Sequence, residues 1–284
     1  MTGRIVVGID GSAPSLLAVR WAAIEAADRG AGLCLCCVAV EDLHGQPMLW
    51  TGPQVVRREA TDVAGQAEAE AEMTRPEVEV SVRIVVGDAA TELAAAGVGA
   101  DLLVVGSRGL GGFAGLLLGS VGERVTRHPA TDVVVVRGDP ADWTGPVLVG
   151  IDDAPETSAA VEFAVATAAR RAVPLVVLTA VPGVWPGPPP AAGVEQSVHP
   201  GGLAGLVADI QDDALEPALR NRPYVQVERR IASHAAARAL IDASHGCGLV
   251  VVGAGRGPLG SVAGHVSRHA TCPVAIVPGP ADHR

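Results

Sequence analysis

Short runs of β-branched residues alternate along this chain with longer segments in which alanine and other apolar residues recur at helical spacing. In the first half the apolar runs fall at about 4–9, 33–40, 78–86, 101–106 and 132–136. Amphipathic, alanine-rich segments lie between them at about 14–29, 53–73, 89–98 and 119–128. The runs are nearly continuous instead of alternating apolar with polar, as parallel strands covered on both faces require. Strands alternating with helices through right-handed crossovers predict an α/β fold with a doubly wound, Rossmann-like parallel sheet. In the second half the strands fall near 146–152, 174–181, 225–231, 248–252 and 273–277.

The pattern is written twice. IVVGID (5–10) returns as VLVGID (147–152), and DLLVVGSRG near 101 as GLVVVGAGR near 248. GSVGERVTRHPATDVVVV (119–136) returns as GSVAGHVSRHATCPVAIV (260–277). Matching blocks in the same order mean a duplication, and two domains are expected, 1–140 and 146–284. The segment RGDPADWTGP (137–146) joins them and is too short to hold them far apart. A Pro- and Gly-rich stretch, 182–202, reads as a surface loop.

Composition narrows the function. The net charge of −10 argues against a general nucleic-acid binder. No apolar run is long enough for a membrane span, and the N-terminus lacks a secretory signal, so a cytoplasmic protein is expected. The chain contains no lysine, so a bound phosphate must be held by backbone N–H groups, arginine, hydroxyls or a metal. The five cysteines show neither CxxC nor zinc spacing and read as buried structural thiols. Arg57-Arg58 and Arg170-Arg171 read as solvated helix faces, and the run AEAEAEM (67–73) as a charged helix surface.

The most informative segment is GSRGLGGFAGLLLGS, residues 106–120. Gly106 ends an apolar strand and Gly119-Ser120 opens a helix. The glycines allow close backbone approach to a ligand, and a helix N-terminus favours an anion. Ser120 adds a hydroxyl and Arg108 a positive charge. Asp10 ends the first strand as Gly106 ends the fourth, and in a sheet of order 3-2-1-4-5 these ends flank the switch point where ligands bind. Asp10 is equally good turn chemistry, and a glycine-rich loop can be purely structural. GxxxxGK[ST] and GxGxxG after the first strand are both absent, so a mononucleotide held after the fourth strand is the expected ligand.

The spacing Gly106-x2-Gly109-x9-Gly119-Ser120, the VVGIDGS opening and the VVGSRG…GSV…HPATDVVVV close resemble the universal stress protein family in its tandem-domain form. The resemblance covers both halves and implies two such domains packed as a pseudo-dimer, with the last strand of each pairing across the interface. It implies ATP, with Mg²⁺ held by no protein side chain, in the first half. Gly8, Ile9 and Asp10 would lie along base and ribose, and Val38 would contact adenine through its backbone. Val105, Gly106, Arg108 and Gly109 would follow ribose and phosphates, and Gly119, Ser120 and Val121 would clasp the phosphate tail. In the second half Asp152, Gly253, Gly260 and Ser261 correspond, but Gly253 to Gly260 spans seven positions where the first half spans thirteen, with Arg256 in place of the middle glycine. Weak, altered or absent binding is expected there.

The expected function is that of an ATP-binding stress-response or regulatory protein, with no catalytic residue assigned. Its surface would be read by a protein partner not yet identified, and chains could pair further as homodimers. A slow ATPase or phosphotransferase is the alternative, though no His or Glu except Glu123 lies near the loop in sequence. A nucleotide-independent interaction module is the third reading. Trp50 and Trp185, in corresponding long loops, read as loop packing or as a lid.

Overall fold

Local sequence sets the ends of the helices. Ser12 caps helix α1 (Ala13–Arg29), its side chain accepting from the Ser15 N–H, and Pro14 sits in the first turn where no N–H is needed. Gly30, at φ 64, ends the helix in the left-handed conformation and returns its N–H to the last carbonyls. The same economy of caps recurs at α3, where Asp88 accepts from the Thr91 N–H.

The computed structural model describes residues 3–39, 53–109, 118–127, 129–154, 157–181, 202–255 and 262–279. The first half runs β1 (Arg4–Ile9), α1, β2 (Gly32–Ala39), α2 (Pro53–Thr74), β3 (Val80–Val86), α3 (Ala89–Gly97), β4 (Leu102–Gly106), α4 (Ser120–Arg127) and β5 (Val133–Val136). A 3₁₀ turn, Pro140–Thr144, leads to β6 (Val147–Gly150), α5 (Thr157–Arg171), β7 (Leu175–Ala180), α6 (Gly202–Leu219), β8 (Val227–Ala232), α7 (Ala236–Ala243), β9 (Leu249–Gly253), α8 (Val262–His269) and β10 (Val274–Val277).

Within each half the strands are parallel and fall in the expected order. The two five-stranded halves are joined edge to edge through their last strands, as the resemblance implies. A single ten-stranded sheet runs β3-β2-β1-β4-β5-β10-β9-β6-β7-β8. Its centre is the antiparallel pairing of β5 with β10, Val133–Val135 against Val274–Ile276. Both are short, wholly buried apolar strands, and pairing removes two edges that would otherwise invite aggregation. The remaining edges, β3 and β8, are largely exposed and carry Arg83, Glu228, Arg229 and Arg230.

One core lies between the sheet and α1, α2, α5 and α6, and the other between the sheet and α3, α4, α7 and α8. Each draws residues from both halves, so the halves share their packing. All five cysteines are buried, Cys34 and Cys36 facing one core and Cys37 the other. The charged reading of 67–73 needs correction at Glu70, which is buried and pairs with Arg20, while Ala67 and Ala71 face the core.

Arg170 and Arg171 also depart from the solvated reading. Both reach across the seam to Glu25 of α1, whose side chain is only 1% exposed. Glu25 accepts from Arg29 Nε at 2.6 Å, Arg170 Nη2 at 2.8 Å and Arg171 Nη2 at 2.7 Å. Burial alone would raise the Glu25 pKa, but the charges of Arg171, Arg29 and Arg170 outweigh it and bring it down to about 2. Arg29 stacks on Phe163 and Arg171 on Trp21, each 5.3 Å from the ring centroid. These contacts exchange under the repeat, because Trp21 and Phe163 share one repeat position and Arg29 and Arg171 another. Hydrophobic patterning assigns an arginine to solvent by default, and aromatic faces with a buried carboxylate override that here.

The linker is fixed to this frame. Trp143 is buried and donates Nε1–H to the Arg137 carbonyl at 3.3 Å. Gly138, at φ 79, lies so close to the second half that a Cβ would stand 2.3 Å from the Thr271 carbonyl oxygen.

Candidate functional site

β1 and β4 are hydrogen-bonded neighbours, Val7 opposite Val104. Continuing that register puts Ile9 opposite Gly106, so Asp10 and Ser107 leave the sheet side by side at its C-terminal edge. Asp10 then turns. Its Oδ1 accepts from the Ser12 N–H at 3.0 Å and the Ser12 hydroxyl at 2.6 Å, and its own N–H donates to Ser15 Oγ at 3.4 Å. The turn-forming role is therefore real. Oδ2 faces the other way, and a Cβ on Gly109 would stand 2.3 Å from it. Asp10 and the start of the glycine loop are thus in close contact, and any side chain at 109 would have to displace the Asp10 carboxylate.

The loop is pinned at both ends. The Ser107 N–H donates to the Val136 carbonyl at 3.1 Å, and the Gly119 N–H donates to the Ser107 carbonyl at 2.8 Å. A Cβ on Gly119 would lie 3.5 Å from Arg108 Cα, so the helix end folds back over Arg108 and Gly109. Ser120 starts α4 with its side chain exposed, and Val121 is half-buried beside it. Arg108 is exposed, and residues 110–117, the middle of the loop, lie outside the described residues.

Other sequence candidates have a structural duty as well. Gly106 lies under the first turn of α1, where a Cβ would meet the Pro14 carbonyl oxygen at 2.6 Å. Gly8 leaves room for Leu93 of α3, as Gly150 does for Leu240 in the second half. Ile9 and Val105 are buried, and they reach the crevice only through backbone. Val38 is half-buried just past Cys37, which pairs with Ile9. Burial first, and the charge of Asp10 second, push the Cys37 thiol pKa up, so that side chain is an inert wall.

The second half repeats the turn, Asp152 accepting from the Ala154 N–H at 3.1 Å and from the Thr157 hydroxyl. Gly253 ends β9, while Gly260, Ser261 and Arg256 lie outside the described residues, as do Trp50 and Trp185. Glu123 is held by Arg127 at 3.5 Å and by Arg268 of the second half at 3.6 Å, which draws it into an ion-pair cluster at the seam. Arg124, one position on, binds Asp88 at 2.7 Å and ties α4 to α3. No group of three or more His, Cys, Asp or Glu able to hold a metal ion occurs among the described residues. Nor, among them, is any helix long and apolar enough to cross a membrane. Two residues at this end of the sheet carried no sequence signal: Ser15, whose hydroxyl lies under Asp10, and Arg137, which follows β5.

Residues 1–137 and 144–278 each match the model of the universal stress protein family. The chain belongs to the universal stress protein family. A universal stress protein of Mycolicibacterium smegmatis is 33% identical over 293 residues, covering 96% of each chain. One from Mycobacterium tuberculosis strain H37Rv is also 33% identical over 293 residues, covering 96% of this chain and 95% of its own. Among solved structures, a universal stress protein from Archaeoglobus fulgidus superposes with a TM-score of 0.74 at 18% identity, over 99% of this chain and 97% of that one. These full-length matches agree with a tandem universal stress protein fold in which both halves take part.

Proposed function

We propose that the first half, residues 1–140, binds ATP across the C-terminal ends of β1 and β4, and that the chain serves as a nucleotide-dependent stress-response regulator. The observation that carries this reading is the contact of Gly109 with the Asp10 carboxylate. It joins an acceptor for ribose hydroxyls or base N–H groups to a loop whose backbone N–H groups suit phosphates. Gly8, Ile9, Asp10 and Val38 line the base and ribose end, Val105, Gly106, Arg108 and Gly109 the middle, and Gly119, Ser120 and Val121 the phosphate end. Mg²⁺ would be held by phosphate oxygens and water. Residues 146–284 act chiefly as packing partner, because the shortened loop offers fewer donors. The engagement of Glu123 with two arginines disfavours it as a general base and hence disfavours the ATPase reading. ATP shifts the surface offered to a protein partner only through a difference in affinity between two loop states.

The test is the nucleotide content of the chain purified from cells without added ligand, followed by calorimetry with ATP and Mg²⁺. About one ATP per chain is expected if one of the two sites works, with binding lost in Gly109→Glu. Two per chain would overturn the reading of the second half. None, with no calorimetric signal, would leave the interaction module.

A further inference from the structure

The two outer edges of the sheet differ in how they meet solvent. Leu33 lies opposite Val80 as Leu175 lies opposite Val227, so Val82, Ile84 and Val86 of β3 hold the repeat positions of Arg229, Ile231 and Ser233 in and just after β8. The β8 edge is charged and its charges are matched, Arg230 to Glu228 at 2.8 Å and Arg229 to Asp212 at 2.5 Å. Such charges keep an edge strand from pairing with another chain. The β3 edge has no such guard. Val82, Ile84 and Val86 are 36%, 37% and 45% exposed. Ser81 stands where β8 has Glu228, and Arg83, in the place of Arg230, makes no ion pair among the described residues.

The backbone of β3 is open at the same residues. The Leu33 N–H donates to the Glu79 carbonyl at 2.9 Å, and the Gly87 N–H donates to the Ala39 carbonyl at 3.1 Å. Alternate residues of a parallel strand bond to one neighbour, so Val80, Val82, Ile84 and Val86 turn N–H and C=O away from β2. The exposed apolar side chains thus belong to residues whose backbone groups face outward.

We propose that β3 is the docking edge for a second copy of this chain, paired antiparallel about a twofold axis at Ile84. Ile84 then faces its own copy and Val82 faces Val86 in both directions, so all three exposed side chains gain an apolar cross-strand neighbour. In this register Arg83 lies opposite Val85 and diagonal to Gly87 of the second copy, within reach of a long side chain. Glu92 stands against Gly87, where a Cβ would be 3.1 Å from its Oε1, and it too makes no ion pair among the described residues. Each Arg83 therefore gains the Glu92 carboxylate of the second copy. An axis at Arg83 would instead set two guanidinium groups face to face. The pairing is isologous, uses up both β3 edges and stops at two chains, because the outer edges that remain are the charged β8 strands.

Sedimentation velocity of the full chain over a range of concentrations reads the pairing. A dimer that dissociates on dilution is expected, with the amides of Val82, Ile84 and Val86 protected from hydrogen exchange only while it persists. Ile84→Lys puts two ammonium groups at the axis and should leave a monomer, whereas Ile231→Lys, at the equivalent place on β8, should leave the dimer intact. Arg83→Glu turns two attractions into two repulsions and should weaken the dimer about tenfold. Adding Glu92→Arg to it should recover most of that loss, which a merely damaged edge would not do. A parent chain that stays monomeric at about 100 µM would overturn the proposal. So would a dimer that survives Ile84→Lys, or a charge swap that recovers nothing.

Discussion

Replacing Glu25 by glutamine tests how the seam between the halves is held. The carboxylate is buried among Arg29, Arg170 and Arg171, whose side chains are 16%, 27% and 10% exposed. The fall of its pKa from 4.5 to about 2 corresponds to about 3 kcal/mol in favour of the ionised form. Glutamine keeps the volume, removes the charge and points an N–H₂ group at guanidinium donors, so Glu25→Gln should cost about 3 kcal/mol of a typical 5–15 kcal/mol. Urea unfolding followed by circular dichroism at pH 7.5 measures it as a lower midpoint at unchanged slope. The sign with pH follows from linkage. A depressed carboxylate pKa gives stability that is present above the unfolded value and lost as pH falls through the folded one. The parent-minus-variant difference should therefore be flat above about pH 5 and shrink between 4.5 and about 2. Thr167 holds the repeat position of Glu25 and already contacts Arg170 at 3.1 Å. Adding Thr167→Glu to the variant should then restore half or more of the loss. A difference below about 0.5 kcal/mol at pH 7.5 is what an ordinary surface substitution gives, and it would refute the reasoning.

Three other outcomes are expected. Burial, opposed by Arg29, raises the Asp132 pKa from 3.8 to about 6, so this residue contributes stability at low pH that is lost as pH rises through that range. Asp132→Asn should thus stabilise the chain by about 1–2 kcal/mol at pH 8, a gain that vanishes below about pH 4 in the same urea assay. Gly106→Ala puts a Cβ 2.6 Å from the Pro14 carbonyl oxygen, a backbone atom that cannot swing aside. It should cost about 1–3 kcal/mol in thermal unfolding, and a neutral result would mean that α1 does not rest on β4 as described. Burial holds the Cys272 thiol up to about 12 and the Cys36 thiol up to about 11. A thiol reagent at pH 8 should therefore leave the native chain unlabelled and modify all five cysteines only in denaturant, and rapid native labelling would contradict it.

The repeat made most of the architecture legible. Near-continuous apolar runs mark strands covered on both faces, and the βα alternation marks a parallel sheet. The merging of two sheets into one is implied by the family resemblance and not by hydropathy. Val133–Val136 and Val274–Val277 are equally apolar whether they are covered by a helix, by a loop or by each other, and hydropathy does not choose among these. The contact of Asp10 with Gly109 was foreseeable because both leave adjacent strand ends. The placement of Arg137 was not, since it is held by carbonyls at the end of α8 and just after it, far away in the chain. Arg170 and Arg171 look solvated alone, yet comparing the repeats position by position pairs Arg29 with Arg171 and Trp21 with Phe163. That comparison also isolates where the halves differ, at Glu25 and Thr167, Arg108 and Gly255, Arg137 and Pro278. A symmetric dimer of separate chains could not hold such differences, because every substitution would appear twice across its axis. Two copies of the first seam would carry two carboxylates, and two copies of the second would set four arginines together with none. Covalent linkage of the halves is thus what permits one buried carboxylate to serve three arginines.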